Sequence, residues 1–129
     1  MVNRDRLGET FKFLVEIDSI SKEEDTLSSE IKKILESLGG ETIVDSAGDK
    51  IGGNSGNLIA KFKGNRQATP LLLNAHMDTV EPGKGITAVL EEGVFTSDGT
   101  TILGADGHTS AKNGDQFGRS LATVGNGRL

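Results

Sequence analysis

Apolar residues recur at helical spacing as far as Leu38, then change to alternation or short runs. Leu7, Phe11, Leu14 and Val15 make one stripe, which predicts a first helix running to about Ile17. Asn3 is a good N-cap, because its short side chain can accept a first-turn N–H that has no partner within the helix, and Asp5 complements the positive helix end. The charged residues between the stripe positions read as a solvated face. Asp18-Ser-Ile-Ser-Lys22 breaks the period. Leu27, Ile31, Ile34, Leu35 and Leu38 form a second stripe, capped by Asp25 or Thr26 and stopped by Gly39-Gly40 in a left-handed turn.

Strand patterns follow. Thr42–Asp45 reads as a short strand and Asn57–Lys63 as an alternating one. Between them lies a glycine-rich connection, Ser46–Gly56. Gly52-Gly-Asn-Ser-Gly56 is a candidate anion nest, but it lacks the lysine and the following helix of a phosphate loop, so it reads as a turn. Gly64-Asn-Arg-Gln67 is a turn. Leu71-Leu-Leu73 is apolar without alternation, which predicts a strand covered on both faces, as in an α/β sheet. Pro82-Gly83 breaks the chain. Ile86, Ala88 and Leu90, then Glu91-Glu-Gly93, then Val94-Phe95 predict a hairpin with glycine in its turn. Ser97–Thr100 is a further turn, and Thr101-Ile-Leu103 a short strand leading to Gly104-Ala-Asp106.

The chemistry concentrates where the leucine run ends. His76 and Asp78 follow it with one residue between them, so in an extended chain both side chains leave on the same side. A metal-binding imidazole needs such a neighbour: one ring nitrogen meets the metal while a carboxylate takes the proton on the other. The competing reading is a strand-end histidine and a turn aspartate that merely lie near each other.

Composition narrows the classes. A chain of 129 residues makes one domain at most, with a modest core. It has no cysteine, which excludes disulfides and thiolate metal sites and suits a reducing cytoplasm. No run has the h-region of a signal peptide or the length of a membrane span, so no membrane association is expected. The net charge of −5 argues against nucleic acid as a partner. With five phenylalanines and no tryptophan or tyrosine, the core must come from Leu, Ile, Val and Ala.

The character changes after Gly107. Residues 108–129 carry three basic residues and one acid, +2, which leaves −7 on residues 1–107. No apolar period survives there, and Phe117, Leu121 and Val124 stand isolated. An irregular, poorly packed or disordered tail is expected over 107–129.

Three segments, in this order, carry a family likeness: Asn57-Leu-Ile-Ala60, Leu71-Leu-Leu-Asn-Ala-His-Met-Asp-Thr-Val80 and Thr96-Ser-Asp-Gly-Thr-Thr-Ile-Leu-Gly-Ala-Asp106. Over residues 1–106 the chain resembles the N-terminal part of the co-catalytic zinc exopeptidases, the superfamily of peptidase T, acetylornithine deacetylase, succinyl-diaminopimelate desuccinylase and carboxypeptidases, with the peptidase T-like tripeptidases nearest. The resemblance implies an α/β fold, here part of the α/β sandwich of the catalytic domain: two helices on a mixed sheet. It also implies a two-zinc hydrolase of short peptides. His76 would be a ligand of one zinc, Asp78 its orienting partner and catalytic residue, and Asp106 the carboxylate bridging both metals. Such a bridge holds two cations about 3.5–4 Å apart, so that both polarise one water, and loops at strand ends are where α/β folds place such ligands.

The departures are specific. After the bridging aspartate the family continues Asp-Lys into an amphipathic helix, whereas this chain has Gly107-His-Thr-Ser-Ala-Lys112. No glutamate occurs after Glu92, so the family's Glu-Glu pair, later ligands and lid domain have no counterpart. His108 is within reach of a metal at Asp106, or is a solvated tail histidine. Loss of period, acidity and helix formers at one point is what a shifted reading frame or a mistaken join would produce. Three functions remain: an incomplete zinc peptidase with at most partial metal binding, a non-catalytic truncated or frame-shifted remnant, or a weak metal-binding module. An incomplete sheet with an open edge also implies self-association.

Overall fold

The first helix begins where its cap predicts. In the computed structural model, which describes residues 3–91, 93–97 and 101 and the backbone of 110–111 and 120–122, α1 spans Arg4–Val15, and the Asn3 side chain accepts the N–H of Arg6 at 3.0 Å. The helix closes at Glu16, just short of Ile17. Helix α2 spans Asp25–Ser37. Its C-terminus is a Schellman turn: Gly40 N–H donates to Leu35 O and Gly39 N–H to Glu36 O, both at 2.9 Å, with Gly39 at φ +87°. Only glycine takes that φ without strain.

Its N-terminus departs from expectation. The N-cap position is Glu24, which makes no side-chain cap bond. The N–H of Asp25 is met instead by Oδ1 of Asn54, at 3.2 Å, from the glycine-rich connection. Before the helix, Lys22 sits at φ +79°. Its carbonyl accepts Asn54 N–H at 3.0 Å and its N–H donates to Glu24 Oε1 at 2.8 Å. These bonds hold a left-handed residue that costs about 1–2 kcal/mol without glycine.

The sheets are small and antiparallel. Strand β1 (Glu41–Val44) pairs with β2 (Leu58–Lys61) in the register Glu41↔Lys61 to Val44↔Leu58, and α2 lies against this ribbon. Strand β3 is Leu72–Asn74. Strands β4 (Val89–Glu91) and β5 (Val94–Thr96) form the expected hairpin, with Gly93 at φ +81° in its turn. Two short strands lie in the tail despite its lack of apolar period: β6 (Ser110–Ala111) pairs with β5, and β7 (Ser120–Ala122) pairs with β3. Backbone hydrogen bonds at an open edge require no such period. Among the described residues the one parallel pairing is a bridge, Ile20↔Thr79.

A small core lies between α1 and the hairpin. Val15, Ile86 and Ala88 are buried, with Phe11 and Phe95 packed against them. The two rings stand 4.6 Å apart at 48°, a tilted aromatic pair. Leu71, Leu72 and Leu73, expected to be covered on both faces, are instead 63, 51 and 65% exposed. No described helix packs on β3, so the run lacks the layers its composition is suited to. The Ser97–Thr100 turn and the Thr101–Leu103 strand fall largely outside the described residues.

Candidate metal site and its support

His76 lies just beyond β3, where the chain leaves the ladder and turns. Its Nδ1 stands 2.9 Å from the carbonyl oxygen of Asp78 and 3.1 Å from Oδ1 of the Asp78 carboxylate. Both partners are acceptors, so Nδ1 must carry the proton to bond either one. In the neutral ring the lone pair then resides on Nε2. That is the form a metal-binding imidazole takes, with its other nitrogen donating to a carboxylate or a carbonyl.

The second carboxylate oxygen is engaged as well. Ser21 Oγ donates to Asp78 Oδ2 at 2.5 Å, across 57 positions of sequence. The segment that brings Ser21 there, between α1 and α2, is fastened along its length. Thr79 N–H donates to Ser19 O at 2.8 Å and Ser21 N–H to Thr79 O at 3.2 Å, flanking buried Ile20. Gly85 N–H donates to Asp18 Oδ1 at 2.7 Å, and Ala88 N–H to Glu16 Oε1 at 3.0 Å. Lys84 Nζ reaches Glu23 Oε2 at 2.6 Å. That bond holds the Lys84 ammonium above the ordinary lysine pKa, reinforced by the charges of Glu23, Glu81 and Asp18.

The pair is open to solvent, with side chains 58% (His76) and 44% (Asp78) exposed. Asp106 and His108, the other candidate ligands, lie outside the described residues. Among the described residues no group of three His, Cys, Asp or Glu side chains is placed to hold a metal. One feature fits zinc: with the proton on Nδ1, which faces the Asp78 carboxylate, the Nε2 lone pair of His76 is the atom that would meet the metal.

Away from this pair, a concavity of about 380 Å³ lies between the start of α2 and the β1–β2 connection. Asp25, Asp45 and Asp49 line it together with Asn54 and Ser55. The anion nest considered at Gly52–Gly56 does not form there. The N–H groups of Gly53 and Asn54 are bonded to the carbonyls of Gly48 and Lys22, at 2.9 and 3.0 Å, and the aspartates would repel an anion.

Sequence reasoning brought His76 and Asp78 together but missed Ser21. The serine follows a helix end, far from the motif, and carries no local signature. Only the spatial pairing of Ile20 with Thr79 reveals it.

No protein-family model matches the chain. YqjE, an uncharacterized protein of Bacillus subtilis, is 44% identical over 106 residues, which is 82% of this chain and 29% of that protein. The crystal structure of the aminopeptidase PepT from Bacillus cereus superposes with a TM-score of 0.76 at 38% identity, over 81% of this chain and 28% of PepT. A tripeptidase from Staphylococcus aureus gives a TM-score of 0.77 at 36% identity, over 82% of this chain and 29% of the tripeptidase. The chain thus spans less than a third of the length of each protein it matches. Among the described residues no helix is long and apolar enough to cross a membrane.

Proposed function

For a chain related in sequence and fold to the N-terminal part of PepT-type peptidases, we propose that it supplies metal-site residues of a zinc-dependent hydrolase of short peptides, working in the cytoplasm. His76 is the metal ligand through Nε2, Asp78 orients it, and Asp106 is the second, carboxylate ligand. Zinc, when bound, supplies a Lewis acid that polarises a peptide carbonyl and lowers the pKa of a bound water toward neutrality. The chain's own work is positional. Asp78 keeps the His76 proton on Nδ1, and the Ser19–Ser21 segment keeps Asp78 beside the ring.

The observation that carries this reading is the double contact of His76 Nδ1 with Asp78, at 2.9 and 3.1 Å, within a fold shared with a PepT aminopeptidase and a tripeptidase. Residues 107–129 are read as an extension foreign to that fold, and no role in the site is assigned to them. Two protein ligands fall short of the three that catalytic zinc sites keep, so zinc should bind this chain weakly. Calorimetric titration of zinc, paired with hydrolysis assays on di- and tripeptides, tests the proposal. Weak binding that His76→Ala abolishes is expected. Equal affinity in that variant would take His76 out of the site, and binding without turnover would leave the chain a metal-binding remnant.

A further inference from the structure

The Ser21 hydroxyl has a partner but no evident structural duty. The two segments are already joined by backbone bonds, Thr79 N–H to Ser19 O at 2.8 Å and Ser21 N–H to Thr79 O at 3.2 Å. Ile20, between the two serines, is buried and anchors the bridge. The hydroxyl adds little to that join, since Ser21 Oγ lies 3.5 Å from Thr79 O, at the limit of a useful hydrogen bond. Its short contact is with Asp78 Oδ2, at 2.5 Å, the length of a charge-assisted O–H···O⁻ bond. The aspartate therefore has one oxygen facing the imidazole and the other tied to a backbone-fixed serine.

We propose that Ser21 is a positioning residue for His76: its hydroxyl fixes the Asp78 carboxylate in the orientation that keeps the proton on Nδ1 and leaves Nε2 as the open donor. The inference rests on the reading of His76 as a ligand through Nε2. A carboxylate held at one oxygen only would turn about its Cβ–Cγ bond in a site this exposed and share its acceptors with water. The imidazole would then sample the Nε2–H tautomer, in which the donor atom is blocked. Ser21 prevents that rotation from the far side of Asp78. It reaches the metal position through two other groups, so its effect on affinity should be smaller than the 10–100-fold typical of a ligand's direct hydrogen-bond partner.

The test reads the tautomer directly and needs no metal. In the full 129-residue chain labelled with 15N and 13C, the His76 ring shifts should report the Nδ1–H form as dominant above the imidazole pKa. Ser21→Ala should raise the Nε2–H population severalfold and weaken zinc binding by about three- to tenfold. Ser21→Thr, which keeps the hydroxyl, should match the wild type in both. Thr79 amide protection monitors the bridge in each variant. An unchanged tautomer ratio in Ser21→Ala with that protection intact overturns the proposal. If the alanine variant loses the bridge, the wild-type chain decides. A Ser21 hydroxyl proton protected from exchange and close to Asp78 supports the assignment, and a freely exchanging one overturns it. Because the tautomer is measured without zinc, its failure is distinct from a failure of His76 to bind metal.

Discussion

His76 and Asp78 meet at two points: the ring Nδ1 faces the Asp78 carbonyl oxygen at 2.9 Å and its carboxylate Oδ1 at 3.1 Å. The backbone acceptor survives any change of side chain at position 78. Asp78→Ala should therefore weaken zinc binding by about tenfold, at the low end of what loss of a ligand's hydrogen-bond partner costs. His76→Ala should remove measurable binding. Asp78→Asn, whose amide can turn either its oxygen or its NH2 toward the ring, should fall between wild type and alanine. Calorimetry on the three variants checks the order, and an Asp78→Ala variant as weak as His76→Ala would show that the carbonyl contributes nothing.

The Thr79 hydroxyl is buried and has no hydrogen-bond partner among the described residues. The bridge to the Ser19–Ser21 segment uses only its backbone. Replacing an unpaired buried hydroxyl by a methyl of the same shape removes a desolvation cost of about 1–3 kcal/mol. Thr79→Val should thus leave the melting temperature unchanged or raise it, with the His76 shifts unaltered. A clear loss of stability would show that the hydroxyl is bonded after all.

Asp45 ties the two ends of the glycine-rich connection. Its carboxylate accepts Asn57 Nδ2 at 2.9 Å, Asn57 N–H at 2.8 Å and Ala47 N–H at 2.9 Å. The bond from the Asn57 side chain, followed by those two N–H groups, holds its pKa below the ordinary carboxylate value. A carboxyl depressed in the folded state contributes stability in full above its unfolded pKa of about 3.9, and loses it as pH falls through the folded value. The Asn57 amide shift should accordingly titrate with a midpoint under about 3.9. Asp45→Asn should abolish that transition. Lys84 has the opposite sign: its raised pKa means that the contact with Glu23 is intact below about 10.4 and is lost only as pH climbs past the folded value.

Local patterns carried the secondary structure and failed where the partner was remote. The Asn3 cap, the glycine stop after α2 and the hairpin turn at Gly93 are each decided within a few residues, and each formed as the sequence implied. The cap of α2 was misplaced because its acceptor, Asn54, lies 29 residues downstream. The same distance effect hid Ser21, while His76 and Asp78 were legible because one strand end places both. Burial was overestimated for Leu71–Leu73: a run without alternation reports the environment for which it is suited, and the described part of the chain does not supply that environment.

The exposed strand faces lead to a last prediction. Ile43, Val44, Ile59, Leu72, Leu73 and Leu90 are all between 44 and 65% exposed, on strands of only three or four residues. Large apolar side chains beside unsatisfied strand edges favour pairing with another copy. Sedimentation should show the chain self-associating at moderate concentration, and Leu72→Lys should shift it toward monomer, because a charge on an edge strand opposes such pairing. On one edge β3 is already paired, with β7 in the register Leu72↔Ala122 to Asn74↔Ser120. Deleting residues 108–129 opens that edge, so association should increase in the shortened chain. Unchanged association would mean that β7 shields nothing and that the tail has no fold of its own. A monomer at every concentration, in the parent chain and the deletion alike, would show that these apolar faces are not adhesive.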